Sequence, residues 1–368
     1  MTGRGVTSDR ERYHLLFFGG YLPSYSRNAI IRKGWRALGL PISECRADTR
    51  RKVHLRYPAL LWRYLRAGER GRILFVPDFR HKDVPLAWVL ARLSGKRLVF
   101  DPLVSRYETR VLDRGDATEG SPQAWHNRNI DRLSFTLPDL VLADTEAHAR
   151  FFIGEYGISP EKVYPLPVGF DEDVFPQQPE REGGGAFRVL FYGSYLPLHG
   201  IEAIIDAASL LRDRHMEFTL VGSGQTYEEI RNRARHLDTG TVTFRGYVPE
   251  RELCPLIAAS DVVLGIFGTT PKAAMVIPNK VYQSLAVGRA VVTADTPAIR
   301  EHFIHGVHLM TVPNADPGAL AGCLRDLQDN PGLRRRLAAE GGSYVRKHFC
   351  SARIAERLAS ILEEAGLL

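Results

Sequence analysis

Residues 188–224 read RVLFYGSYLPLHGIEAIIDAASLLRDRHMEFTLVGSG. The run Arg188–Tyr192 is short, apolar and rich in β-formers, and it enters a glycine turn from Gly193 to Gly200. A helical stretch follows, and a second apolar run from Glu217 to Val221 ends on Gly222-Ser223-Gly224. Strand, crossover helix and strand within roughly 30–40 residues make the unit of a parallel sheet.

The alternation continues on both sides of this unit. Downstream, strands are expected at Val242–Phe244, Val262–Leu264, Ala290–Thr293 and His308–Val312, with helices near 316–328, 332–347 and 351–365 closing the chain. Upstream, the strand candidates are His14–Phe18, Ile42–Arg46, Ile73–Val76, Arg97–Asp101, Leu140–Ala143 and Val163–Leu166. Helical stretches near 26–39, 58–68, 84–94, 122–136 and 145–155 separate them. After Pro167 the chain turns Gly- and Pro-rich as far as the run Gly183-Gly184-Gly185, a linker by composition. Two βα series joined by a linker predict an α/β protein of two Rossmann-like domains, 1–180 and 181–350. Residues 351–368 are expected to form a C-terminal helix that packs back on the first domain. A length of 368 residues suits two domains, whose parallel sheets are expected to face each other across a cleft.

Composition narrows the setting. Apolar residues make 44% of the chain and charged residues 25%, the balance of a globular protein. No apolar run is long enough for a membrane-spanning helix, and the polar stretch Met1–Arg12 has no signal core, so a cytoplasmic protein is expected. The cysteines Cys45, Cys254, Cys323 and Cys350 form no C-x-x-C pair and read as thiols. The net charge of +7 is uneven: Arg27 to Arg72 holds 13 Lys or Arg against Glu44, Asp48 and Glu69, a local excess of ten. Trp35, Tyr57, Trp62 and Tyr64 are interspersed. Such a stretch suits an anionic membrane surface, nucleic acid or a phosphorylated substrate, and it equally suits a solvated face. No nucleic-acid recognition motif accompanies it, so the partner expected is a membrane, met peripherally on the inner face of the cell membrane.

In open parallel sheets, ligands bind beyond the carboxyl ends of the strands, so the residues that directly follow each strand are the candidates. In the first half these are Gly19 and Gly20, then Asp78, Arg80 and His81, then Asp101, Ser105 and Tyr107. Asp101 could orient an acceptor hydroxyl or cap the next turn; Arg80 could bind an anion or pair with Asp78 or Asp83. In the second half, the glycines of the Gly193 and Gly222 turns offer close backbone approach, or simply punctuate the chain. The stretch GSGQTY lacks the third glycine of a dinucleotide fingerprint. Pro278 and Asn279 can open a helix with Lys280 in its first turn and Gln283 one turn on. A lysine there opposes the helix macrodipole, a conflict that a bound anion would relieve, and Lys272 could add a second cation. A flexible surface lysine is the plain alternative. No Asp-x-Asp motif or His cluster suggests a metal site.

The segment PNKVYQSLAVGRAVV with Thr296-Pro-Ala-Ile-Arg-Glu301 resembles the donor-binding core of the family-4 retaining glycosyltransferases, which have the GT-B fold. FYGSYLPLHGIEAIIDAASLL and TFRGYVPERELCPLIAASDVVL are similar to other parts of that family's C-terminal domain, and VLADTEAHARFF and VYPLPVGFDEDVF to the end of its N-terminal one. The resemblance implies transfer of a sugar from a nucleotide-sugar donor to a hydroxyl acceptor, with retained configuration and no cofactor, as in cell-surface glycan or glycolipid synthesis. It implies a donor site at Gly193, Ser194, Gly200, Gly222, Gly224, Gly246, Tyr247, Phe267, Pro278, Asn279, Lys280, Gln283 and Glu301, and an acceptor site at the first-half loops. Asp101, His199 and Lys272 are the catalytic candidates it implies. Three departures stand out: Gln283 replaces the second Glu of the family's Glu-x7-Glu pair, Met275 replaces the first, and Ser194 and His199 replace an Arg/Lys pair. A degenerate sugar-nucleotide binder, or an epimerase or hydrolase of the same fold, are the alternatives.

Overall fold

The computed structural model describes residues 10–67, 71–181, 184–237, 239 and 241–368. Met1–Asp9 of the polar N-terminus, Glu69 and Arg70 of the basic stretch and Gly183 of the linker lie outside the described residues. The chain divides into two compact units, Met1–Val168 with Ser351–Leu368, and Gly169–Cys350.

The first unit is built on a parallel sheet of six strands: β1 Leu15–Gly19, β2 Ile42–Arg46, β3 Ile73–Val76, β4 Arg97–Phe100, β5 Leu140–Ala143 and β6 Val163–Pro165, in the order β2-β1-β3-β4-β5-β6. β1, β3 and β5 are buried along their whole length, as strands covered on both faces must be. Phe17 of β1 stacks on Phe75 of β3 at 4.6 Å. The strand order reverses between β1 and β3, so the loops after those two strands open on the sheet's switch point. The helix expected from residue 58 starts at Val53, with Pro58 inside it. Pro58 lies on the exposed side, where the carbonyl its ring leaves without a partner can meet water.

The second unit repeats the design with β7 Phe187–Tyr192, β8 Met216–Val221, β9 Val242–Arg245, β10 Val262–Leu264, β11 Ala290–Ala294 and β12 Met310–Val312. Their order, β12-β11-β10-β7-β8-β9, is that of a doubly wound nucleotide-binding sheet, with its switch point between β7 and β10. A core of Val189, Phe191, Ile204, Ala208, Leu220, Leu264, Val292 and Leu324 joins sheet and helices.

The boundary falls at 168/169 rather than at 180/181. The Gly- and Pro-rich stretch is stitched to the second unit by the Phe170 N–H donating to Phe349 O (3.1 Å) and the Gln178 N–H donating to Val287 O (3.0 Å). Arg289 Nη2 adds a bond to Pro179 O at 2.6 Å. The terminal helix Ser351–Glu364 belongs to the first unit, where it packs on the helix Ser26–Ala37. The contact needs a glycine, because a Cβ on Gly34 would lie 1.9 Å from Ser351 O.

Candidate functional site

At the switch point of the second sheet, β7 runs into Gly193 and β10 into the loop that leads to Lys272 and the helix Asn279–Val287. Lys280 stands in the first turn of that helix, 5% exposed, with its Nζ buried and without a hydrogen-bond partner. The ammonium lies 3.9 Å from the centroid of the Phe191 ring, and a Cβ on Gly193 would meet Nζ at 3.0 Å. Burial alone holds its pKa well below the lysine range. His199 is packed edge-on against the same Phe191 ring. Burial first, then Lys280 and Lys272, keep its imidazole neutral. Its Nδ1 bonds the Ser194 carbonyl, which can only accept, so Nδ1 carries the proton and Nε2 the lone pair. Lys272 is buried in the short helix Pro271–Met275, whose N-cap is the Thr270 hydroxyl. Lys280, His199, Lys272 and the Gly193 turn are thus brought together.

Several other expected donor contacts are committed elsewhere. The Gly193 N–H donates to Val221 O (3.0 Å) and the Gly222 N–H to Arg245 O (2.9 Å), so neither amide is free for a phosphate. The glycines serve chain crossings instead: a Cβ on Gly222 would fall 1.9 Å from Gly193 O, one on Gly224 2.7 Å from the Tyr195 backbone, and one on Gly200 2.4 Å from Gly268 N. Phe267 is sealed in the core, with its N–H bonded to His199 O. Gln283 is buried and satisfied at both ends: Tyr192 OH donates to its Oε1 and its Nε2 donates to Glu250 Oε1, each at 2.9 Å. A ribose contact by Gln283 would therefore have to displace one of these. Glu250 was not singled out in the sequence, although GYVPERE places it directly after the β9 loop. Ser194, Gly246 and Tyr247 are exposed, Pro278 and Asn279 half-buried at the helix start, and Glu301 half-buried near the end of the helix Pro297–His302.

In the first unit, Asp101 is not available to an acceptor. Arg27 grips it through two bonds, Nε to Oδ2 at 2.8 Å and Nη2 to Oδ1 at 3.0 Å, with both side chains fully buried. Arg27 Nη1 also donates to Leu166 O and Pro167 O, tying the helix Ser26–Ala37 to the ends of β4 and β6. Gly19 and Gly20 are closed off likewise: the Gly20 N–H donates to Asp83 Oδ2 at 2.9 Å, and Arg56 holds Asp83 Oδ1. Asp83 thus pairs with Arg56 rather than with Arg80, whose Nε reaches only the Asp78 carbonyl. His81 is buried against Phe100 and Phe135, and burial with nearby Arg106 pushes its pKa down to about 3, so it carries no charge for an anion. The buried Ser105 hydroxyl caps Glu108 N and accepts from Tyr156 OH. Asp78 remains a candidate. Its Oδ1 is buried without a partner, and burial followed by Asp101 raises its pKa to about 7. Tyr107 is half-buried, with Arg128 over its ring.

The basic stretch is not one surface, because Arg27, Arg56 and Trp35 are buried and Arg32 bonds Glu44. Its exposed part includes the outer side of the helix Val53–Ala67, with Leu55, Leu61, Trp62 (55% exposed) and Leu65 (71%) beside Arg63 and Arg66. Arg66 lies over the Trp62 ring at 4.1 Å. Among the described residues no helix is long and apolar enough to cross a membrane, and no group of three or more His, Cys, Asp or Glu could hold a metal ion.

Residues 186–330 match the family model Glycosyl transferases group 1. The chain is 24% identical over 287 residues to a D-inositol 3-phosphate glycosyltransferase of Thermomonospora curvata, a match covering 71% of this chain and 64% of that protein. It is 28% identical over 205 residues to the probable glycosyltransferase WbjE of Pseudomonas aeruginosa (52% and 48% covered), so the matches span about half to two thirds of these relatives. A structure of Anabaena HepE in complex with UDP superposes with a TM-score of 0.70 at 16% identity, covering 95% of this chain and 99% of that one. Sucrose-phosphate synthase from Thermosynechococcus elongatus gives 0.73 at 14% identity, with 95% and 98% covered. The chain therefore has the α/β fold of the GT-B glycosyltransferases, and its second unit carries the segment that matches the group 1 family.

Proposed function

We propose that this protein is a glycosyltransferase that moves a sugar from a nucleotide-sugar donor to a hydroxyl acceptor with retained configuration. The single observation that carries the reading is the Lys280 ammonium, buried beside the Gly193 turn with no counter-charge. A diphosphate supplies that charge, and the matches of the second unit to group 1 glycosyl transferases make a nucleotide diphosphate its natural bearer. Lys280 and Lys272 neutralise the leaving diphosphate, a role in which preorganised charge contributes most to catalysis. Neutral His199 offers Nε2 to a sugar hydroxyl. Glu250, held by Gln283, stands in for the missing carboxylate as the acceptor for ribose hydroxyls. Asp78, with its unpartnered oxygen, orients the acceptor hydroxyl in place of Asp101. The outer side of the helix Val53–Ala67, with Arg50, Arg51 and Lys52 before it, rests on an anionic membrane, since its four large apolar side chains otherwise face water beside five cations.

Three measurements check this reading. In calorimetry over UDP, GDP, ADP and dTDP, Lys280→Met should weaken the preferred diphosphate about tenfold to a hundredfold, the worth of a charge-assisted contact of ~1.5–3 kcal/mol, and leave the free nucleoside nearly unchanged. Equal diphosphate affinity in variant and wild type would remove the phosphate site from this position.

Asp78 gives a pH signature. Its folded pKa, near 7, exceeds the ordinary value of ~3.9, so the stability it lends is complete below about pH 4 and lost as pH rises through 7. Asp78→Asn should lose less thermal stability than wild type between pH 5 and pH 8, and parallel melting curves for the two would contradict the assignment. In liposome flotation, vesicles with phosphatidylglycerol should recover the protein and pure phosphatidylcholine should not. Trp62→Ser/Leu65→Ser should abolish recovery, and equal recovery by both vesicle types would leave this face as ordinary surface.

A further inference from the structure

The loops after β3 and β4 hold four cations, none of them in an ion pair with a carboxylate of the described residues, although Asp83 and Asp78 partly offset Arg80 and Asp131 partly offsets Arg106. Arg80 precedes the short 3-10 turn His81–Asp83, which carries Lys82; Arg106 follows β4, and Arg110 sits on the π-helical turn Glu108–Asp113. Among the described residues, no Asp or Glu lies within ion-pair distance of any of the four. Arg106 is half-buried, its Nη2 bonds only the Asn127 amide oxygen (2.9 Å), and its Nε is buried with no partner. Lys82, Arg106 and Arg110 are close enough to repel one another, whereas the cation felt by Arg80 is Arg56. Burial, then Arg106, Arg110 and Arg56, lower the pKa of Lys82; burial and Arg110 lower that of Arg106.

The nearby acids compensate only in part. Asp83 is consumed by Arg56 and the Gly20 N–H. Asp131 accepts from the Tyr107 N–H and Tyr156 OH, and burial raises its pKa to about 7. Asp78 is raised to the same range. Both loops are also strained: Phe79 and Leu103 have φ of 59° and 61°, unusual for bulky side chains, and the Phe79 N–H donates to Pro102 O, joining one loop to the other. Strain of this kind costs ~1–3 kcal/mol per residue and persists where the surroundings enforce it, commonly at binding sites.

We propose that Arg80, Lys82, Arg106 and Arg110 form an anion site of the first unit that takes a phosphate or diphosphate group borne by the acceptor. Three guanidinium groups and an ammonium on two joined loops match the several oxygens of such a group, and guanidinium is the side chain suited to bidentate phosphate contacts. Assigning the anion to the acceptor rests on the function proposed above; the anion site itself does not. The acceptor would accordingly be the product of a reaction that leaves a phosphate ester or diphosphate on it, either free or carried by a lipid.

The test is calorimetry with inorganic pyrophosphate on the full chain, in wild type, Lys280→Met, Arg106→Gln/Arg110→Gln and the exposed-site variant Lys82→Gln. Lys280→Met should retain pyrophosphate binding, and adding Arg106→Gln/Arg110→Gln to it should weaken that binding at least tenfold. Lys82→Gln alone should weaken it severalfold, which decides the matter should the double arginine variant not fold. Flotation with phosphatidic-acid vesicles, in the Trp62→Ser/Leu65→Ser background that removes the apolar helix face, separates the two sources of phosphate. Retention that the arginine variant loses assigns a lipid-borne group, and retention that it keeps, with pyrophosphate binding lost, assigns a free acceptor. The inference is overturned if wild type binds no pyrophosphate, or if Lys280→Met abolishes all binding while the arginine and Lys82 variants bind normally. Failure of the donor-site reading looks different: Lys280→Met would then keep full nucleotide affinity, whatever happens at Arg106.

Discussion

A lysine ammonium that is taken out of water and given no counter-ion is among the most costly groups a fold can hold, at several kcal/mol even after relaxation. Lys280 is such a group. Its position in the first turn of the helix Asn279–Val287 adds the unfavourable helix dipole, and only the face of Phe191, 3.9 Å away, offers partial relief. The protein lives with this by letting the amine lose its proton more easily, which is what the depressed pKa expresses. A bound anion reverses all three penalties at once. Gly193 itself has a φ of 149°, which favours glycine, and a Cβ there would come within 3.0 Å of Nζ.

The two units meet the demand for charge in different ways. In the second, the buried lysines Lys280 and Lys272 flank a histidine kept neutral, so a ligand charge has a large effect. In the first, the buried charges are paired into structure. Arg27 with Asp101 and Arg56 with Asp83 fix the loops at the ends of β1, β4 and β6, as buried pairs with good geometry can. What those pairs leave over is the group of cations on the loops after β3 and β4, together with Asp78.

The sheets were legible because a strand covered on both faces is a continuous apolar run, and LLFFG, ILFV and LVLA are such runs. The candidate loops followed from the rule that ligands bind beyond the carboxyl ends of parallel strands, whereas the strand order that marks the switch points came from the structure. The place of Lys280 in the first turn of its helix was legible too, because a helix start after Pro278 is a local property of the sequence. The failures share one cause. Asp101 meets Arg27 from 74 residues away, and Gln283 meets Glu250 across 33, so their partners lie outside any local pattern. Likewise the Gly193 and Gly222 amides looked available from the strand–turn spacing, but the neighbouring strands claim them. His81 was a candidate for an acceptor anion because it follows β3, and only its tertiary burial against Phe100 and Phe135, with Arg106 nearby, makes it neutral.

The central claim is that Lys280 is the phosphate partner, and proton linkage tests it most directly. A bound diphosphate should raise the depressed lysine pKa, so binding takes up a proton in the interval between the free and bound values, and affinity falls as pH rises through that interval. Calorimetry at pH 8.5, where the nucleotide phosphates are fully ionised, in buffers of different ionisation enthalpy measures that proton. The account predicts net uptake by wild type that disappears in Lys280→Met, and identical buffer dependence in the two proteins would contradict it.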